Sequence, residues 1–364
     1  MSSAIDAFKQ NPLALPAFLV PSAIMLIFSI FNLTAAVDST RVAAAFNLGV
    51  VDQDEGLTFP PIKVASRMLE GLGGNLPFQV MTYESPEAAR IALEAGIAAA
   101  VVIFPPSFST LAVSEDDFEI EIWNTQHLTI AETQVAAQLP GMLQMAMSAG
   151  VANLRLSLAK GKLPSSSLPV TAKVETLHAA GNGASLAAPF IMTFTSWLAG
   201  VVGAILLFLA TNSVAIPRMR TTLRITVPVV SLGIASLVLT LVVASVTGNW
   251  GAVPAVWGQS WLVSLCVSWL SLGVLSIIGM ASVVLLLPLA FYQSAVGGAM
   301  APTAAAAPWL RPLGEAAPFD QVGAAFRASM HGGDFSLPFL WLLSTAGAGI
   351  VAISLSTLKK TKAK

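Results

Sequence analysis

ITVPVVSLGIASLVLTLVVASVTGNWGAVPAVWGQSWLVSLCVSWLSLGVLSIIGMASVVLLLPLAFYQSAVGGAMAPTAAAAPWL, residues 225–310, runs for 86 residues without an Asp, Glu, Lys, Arg or His. A charge at a bilayer centre costs about 2.5–3.5 kcal/mol, so a chain that omits every charge over this length is written for lipid. One span takes about 20 apolar residues. Pro, Gly and polar clusters divide the stretch into three expected spans, 225–247, 260–280 and 281–296.

Working outward, the same signal recurs. Residues 179–217 are also free of charge and hold an expected span at 188–210, and 337–358 reads as the last span, ahead of Lys359, Lys360, Lys362 and Lys364. Near the start, 10–37 is uncharged. Its apolar run is longer than the 7–15 residues of a signal peptide, so it reads as an uncleaved first span. The chain is 55% hydrophobic and 10% charged, against about 25% charge in soluble domains. The expected fold is therefore an α-helical multi-pass membrane protein of six spans. The single Cys266 excludes an intramolecular disulfide.

Between the first two spans the charge returns, with 15 acidic and 8 basic residues over 38–178. That segment reads as an inserted α/β domain with strands near 46–51, 78–83, 97–103, 118–123 and 170–177. Val50, Val80, Val102 and Ile120 are its expected core. Phe118, Ile120 and Ile122 alternate with Glu119 and Glu121, marking a strand with one wet face near a sheet edge. Thr129 and Glu132 have capping-box spacing and open a long helix, which Pro140-Gly141 is expected to kink or split.

Orientation follows from the bases. With a cytoplasmic N-terminus, the inner segments 1–12, 211–224 and 359–364 carry eight bases against Asp6 alone, and the inserted domain lies outside with a net charge of −7. The inner loop and the tail then satisfy the positive-inside rule. The domains are thus 1–37, 38–178 and 179–364, with both termini cytoplasmic. The last domain carries an outer helical segment at about 303–334, because some 32 residues without structure of their own would be unusual.

The chemical motifs searched for do not occur. The sequence has no GxxxxGK[ST] phosphate loop, no HExxH and no GxSxG. His127, His178 and His331 lack any metal-ligand spacing. No enzyme activity, cofactor, metal site or nucleic-acid partner is expected. No ionisable residue falls within the six expected spans, which disfavours a proton-coupled antiporter. Arg218, Arg220 and Arg224 are candidates for contact with an ATPase or anionic lipid, although topology-setting arginines look the same. Gly200, Gly203, Gly347 and Gly349 permit close helix approach within the bundle.

Three stretches carry a resemblance to a known family: Leu48-Gly-Val-Val-Asp-Gln-Asp-Glu-Gly56, Ala98-Ala-Ala-Val-Val-Ile-Phe-Pro-Pro-Ser-Phe-Ser109, and Pro318-Phe-Asp-Gln-Val-Gly-Ala-Ala-Phe-Arg327 followed by Gly332-Gly333. With the topology, they resemble the ABC-2 type membrane permeases, most closely the Pip/YhgE-like branch found in bacteria. Phe104 adds one residue to the second motif, and Phe319 and Asp320 stand where the third usually has Tyr. The resemblance implies a permease-like subunit of an export system in the bacterial cytoplasmic membrane. Such a subunit works as a homodimer or heterodimer with a separate ATPase and moves a hydrophobic or amphipathic compound outward. The alternative is a surface receptor or envelope scaffold that binds through the outer domain. Trp309, Pro318, Arg327, Gly332 and Gly333 mark the candidate outer cap.

Overall fold

A computed structural model describes residues 39–59, 61–73, 77–114, 116–125, 128–158, 168–177, 183–296, 301–306, 308–309, 311–312, 318–333 and 336–362. The expected first span, His127 and His178 lie outside them. The chain divides into two compact units: Asp38–Ala180, and Gly181–Lys364 together with the N-terminal segment.

The first unit is an α/β sheet. In chain order it contains α1 (Ser39–Ala45), β1 (Asn47–Asp52), α2 (Val64–Gly73), β2 (Gln79–Tyr83), α3 (Pro86–Glu94), β3 (Ala100–Phe104), α4 (Phe108–Val113), β4 (Phe118–Thr125), α5 (Ile130–Leu158) and β5 (Val170–Leu177). Strand order is β2-β1-β3-β4-β5; β3 and β4 are antiparallel and the other neighbours parallel. The main core lies on one face, where Leu48, Val50, Val102, Ile120 and Ile122 meet Ala65 of α2, Phe108 of α4 and Leu139, Leu143 and Met147 of α5. On the other face Ala89 and Leu93 of α3 cover Val51, Val101 and Ile103.

Each expected strand is present, but one core residue is misplaced. Val80 is 41% exposed. It sits on β2, at the edge of the sheet with β1 as its one paired strand among the described residues, so its side chain is uncovered although its register partner Leu48 is buried. The Thr129 capping box forms: Glu132 Oε2 accepts from the Thr129 amide at 2.9 Å, and Thr129 Oγ1 accepts from the Glu132 amide at 3.3 Å. Of the two outcomes expected at Pro140-Gly141, a split does not occur: Pro140 lies inside a 29-residue helix. Leu139 and Leu143 on either side of it are buried in the core, so tertiary packing holds the helix together across the missing amide donor.

The second unit is a helical bundle: α6 (Gly183–Asn212), α7 (Pro217–Thr247), α8 (Val253–Ile278), α9 (Val283–Val296), α10 (Phe319–His331) and α11 (Phe339–Lys362). Four helical segments among the described residues are long and apolar enough to cross a membrane: Ala184–Asn212, Pro217–Thr247, Trp250–Ile278 and Phe339–Ser356. The stretch expected as a fifth full span is only the 14-residue α9. At 1.5 Å per residue it reaches about 21 Å, short of the roughly 30 Å of a hydrocarbon core.

Helix α8 is the hub, packing against α6, α7 and α11. A Cβ on Gly200 would lie 2.7 Å from the Ser264 carbonyl, and one on Gly349 would run into the Trp269 carbonyl, so these glycines bring α6 and α11 close to α8. Along the α7–α8 seam, the indole N–H groups of Trp257, Trp261 and Trp269 donate to the carbonyls of Gly233, Val229 and Ile225 at 2.9, 2.9 and 3.1 Å. Inside the bundle Ser196 and Ser260 share a 2.7 Å hydrogen bond.

Candidate functional site

Helix α10 starts after Pro318 and stops at Gly332, whose φ of 92° suits a residue without Cβ. Its apolar residues demand cover, and Phe319, Val322, Ala325 and Phe326 are all fully buried. The cover is mainly α6. The Phe319 ring meets Trp197 edge-on at 5.3 Å, and His331 Nε2 lies 3.2 Å from the Ser185 carbonyl. Twelve residues separate the two partners on each helix, so α10 runs antiparallel to α6 for about 18 Å. Trp197 is thirteen residues from Ala184 and fifteen from Asn212, the ends of the apolar segment, so the start of α10 sits near its middle.

The helix expected in the outer segment therefore lies along half of an apolar helix instead of across the end of the bundle. Its far end is pinned by Asn249 Nδ2, which donates to the Met330 carbonyl at 2.5 Å, and by Gln259 Nε2, which donates to Ser329 Oγ at 2.7 Å.

On the other face of α10, Asp320, Ala324, Arg327 and His331 follow at spacings of four, three and four, one helical stripe. None of the four is fully buried. Arg327 Nη2 lies 3.8 Å from Asp320 Oδ1, and the Asp320 side chain is 49% exposed against 11% for Arg327. Charge at bundle depth is costly and marks a candidate site in its own right. These charges lie outside the six expected spans, on a helix that the fold carries alongside α6.

A second charged locus stands where α6, α7 and α8 end together. The expected inner loop of 211–224 shrinks to the four residues 213–216, since Pro217 opens α7 eight residues before the expected span. Proline at a helix start lacks only an amide that would be unpaired anyway. All three arginines are thus helical. Arg224 is 3% exposed; its Nε donates to Thr211 Oγ1 at 2.9 Å, Nη1 to Ser276 Oγ at 3.0 Å and Nη2 to Asn212 Oδ1 at 3.3 Å. The guanidinium also lies 4.5 Å from the Phe208 ring centre. Arg220 donates to the Val214 carbonyl, while Arg218 and the neighbouring Met219 are exposed. Only Arg218 is well placed to touch a partner.

Trp309 is exposed, and Pro318, Gly332 and Gly333 bound α10 without adding a polar side chain. Asp320 and His331 were missed as site residues, although their spacing to Arg327 was readable. Thr211, Asn212 and Ser276 were not legible, because nothing local singles them out.

In the α/β unit, the acidic turn and the Phe-Ser motif turn out to be one construction. Asp54 Oδ1 accepts from the amides of Ser109 and Gly56 at 2.9 and 3.1 Å, and Oδ2 accepts from Ser109 Oγ and the Ala65 amide at 2.5 and 3.2 Å. Burial raises the Asp54 pKa, but these donors outweigh it and hold the carboxyl below its ordinary value. With 1% exposure, Asp54 is a structural pin for the starts of α2 and α4. No cluster of three metal-ligating side chains occurs among the described residues. No family model, curated protein or solved structure matches the chain.

Proposed function

We propose that the chain is a permease-like membrane subunit of an export system, moving a hydrophobic or amphipathic compound outward in partnership with a separate ATPase. The observation that carries this reading is α10, a helix that lies along nearly half of an apolar neighbour and bears the Asp320–Arg327 pair. A bundle that served only as an anchor would have no need of a charged pair alongside an apolar helix. The resemblance to ABC-2 type permeases supports the same reading and supplies the expectation of a permease dimer, a bacterial cytoplasmic membrane and an outer α/β domain. The receptor or scaffold alternative predicts binding through the α/β domain without flux.

In this proposal the three arginines have different parts. Arg218 is the contact residue in this proposal, and Arg224 is the joint that holds three helix ends. The test is ATP-driven uptake into inside-out vesicles that contain the chain and its ATPase. Arg218→Gln is expected to lower ATP-driven flux several-fold with insertion and melting unchanged, whereas Arg224→Gln lowers stability first. Full flux in Arg218→Gln removes the contact role, and flux in vesicles lacking any ATPase overturns the ATP-coupled reading.

A further inference from the structure

We propose that the open edge of β5 pairs with the same strand of a second copy of the chain, antiparallel and centred on Val174, so that two five-stranded sheets become one. The interface gives the permease reading a contact surface, but it stands on the sheet alone.

The backbone of β5 is divided between its two sides. The Phe118 amide donates to the Pro169 carbonyl at 3.0 Å, so alternate residues from Pro169 onward turn their polar groups toward β4 and the residues between them turn away. Val170 is the first to turn away, and Ser148 Oγ on α5 serves both its amide and its carbonyl at 3.2 Å. Ala172, Val174 and Thr176 turn the same way, and their amides and carbonyls have no partner among the described residues. Val174 in the middle is 44% exposed. Such an edge is a template for another strand.

The charges say which strand. Residues opposite each other in an antiparallel pair share a face of the sheet. With Val174 opposite itself, Lys173 stands across from the partner's Glu175, and Glu175 across from the partner's Lys173. Both are exposed and fall at the non-hydrogen-bonded positions, where side chains come closest. Ala172, Val174 and Thr176 then form the hydrogen-bonded pairs. Centring the pair on residue 173 would set Lys173 against itself, and centring it on 175 would set Glu175 against itself, so one register is selected. Lys173 already meets Glu121 of β4 at 3.3 Å and would lie between two carboxylates. A strand pairing buries little area, but Gly183 follows Leu177 by six positions and opens α6, whose Ala184–Asn212 segment is long and apolar enough to cross a membrane. Copies held in one bilayer meet at high effective concentration, so a modest interface suffices.

The test uses the full chain. Across a hydrogen-bonded pair the Cα atoms lie about 5.5 Å apart, within disulfide range. Val174→Cys in membranes is therefore expected to give an oxidant-dependent homodimer. Thr171→Cys, about 20 Å from its counterpart in this register, stays monomeric. Cys266, only 1% exposed, leaves a quiet background. In detergent micelles, sedimentation is expected to show that Lys173→Glu and Glu175→Lys each weaken the dimer at least about fivefold, because the two-fold axis doubles every change. The double variant Lys173→Glu/Glu175→Lys returns it to within about threefold of wild type. Melting of each variant checks that the exposed reversals leave the fold intact.

A Val174→Cys chain that stays monomeric, cross-links equally through Thr171→Cys, or cross-links to a different protein overturns the proposal, as does a double variant no tighter than the single ones. Pairing and rescue without flux of any compound sink the permease reading alone. Loss of both signals with flux intact sinks this interface alone.

Discussion

Asp54 shows how a buried charge can be structural. Its carboxylate receives four hydrogen bonds, two of them from Ser109, across 55 residues of chain. Replacing it with Ala strands those donors and is expected to cost at least about 2–3 kcal/mol, measured as a loss in thermal or denaturant stability of the full chain. The pH dependence has a definite sign. Because the folded pKa lies below the ordinary 3.8, the stabilisation is complete well above that value and drains away as pH falls through 3.8 and then through the folded pKa. Melting curves from pH 6 to pH 3 should fall in the wild type and be flatter in Asp54→Asn; equal slopes would show that Asp54 is not the responsible group. The acidic turn was visible in the sequence. Its function as a pin was not, because the donors come from Ala65 and Ser109, which no local pattern connects. Arg155 is a similar case, buried on α5 and donating to the carbonyls of Leu111, Ala112 and Asp116 around the end of α4.

At the scale of elements, periodicity located the strands of the α/β unit because alternation and turn residues agree there. It erred where tertiary context decides: at the edge-strand residue Val80, and at the start of α7, where the arginines read as loop but continue the helix from Pro217. Helix seams offer the sharpest tests. Gly349→Val must push α11 off the Trp269 carbonyl and is expected to destabilise by about 1–3 kcal/mol, the range of overpacked cores. Gly347→Val should be close to neutral, since an added Cβ there meets nothing within 4 Å. Reversible unfolding in mixed micelles measures both, and equal losses would refute the α8–α11 approach. Trp269→Phe deletes one indole donor to Ile225 and should cost about 0.6–1.7 kcal/mol beyond the lost area, as interhelical hydrogen bonds in membranes do.

For the whole molecule, apolar runs without charge announced the bundle, and four helical segments long enough to span stand where the sequence put four of its six expected spans. The depth of α10 was hidden. A 13-residue amphipathic helix has the same pattern whether it lies on a surface or inside a bundle, and only its partners, here Trp197 and Ser185, decide. Reporter fusions test the proposed orientation: positions 40, 215, 252 and 364 should read outside, inside, outside and inside. An outside signal at Lys364 would reverse it, and the two readings at 215 and 252 bracket α7 independently of the first span.

The junction at Arg224 also has a mechanical meaning. One guanidinium fastened to Thr211, Asn212 and Ser276, with a strap of four residues beside it, makes the ends of α6, α7 and α8 a stiff plate. Torque applied at Arg218 would turn the three helices as one body. The give must then lie at the next joint, Gly279, where φ is 85° and nothing stands within 4 Å of an added Cβ. Spin labels on α6 and α8 beside the plate should keep one narrow distance through a working cycle, while a pair across Gly279 should show two.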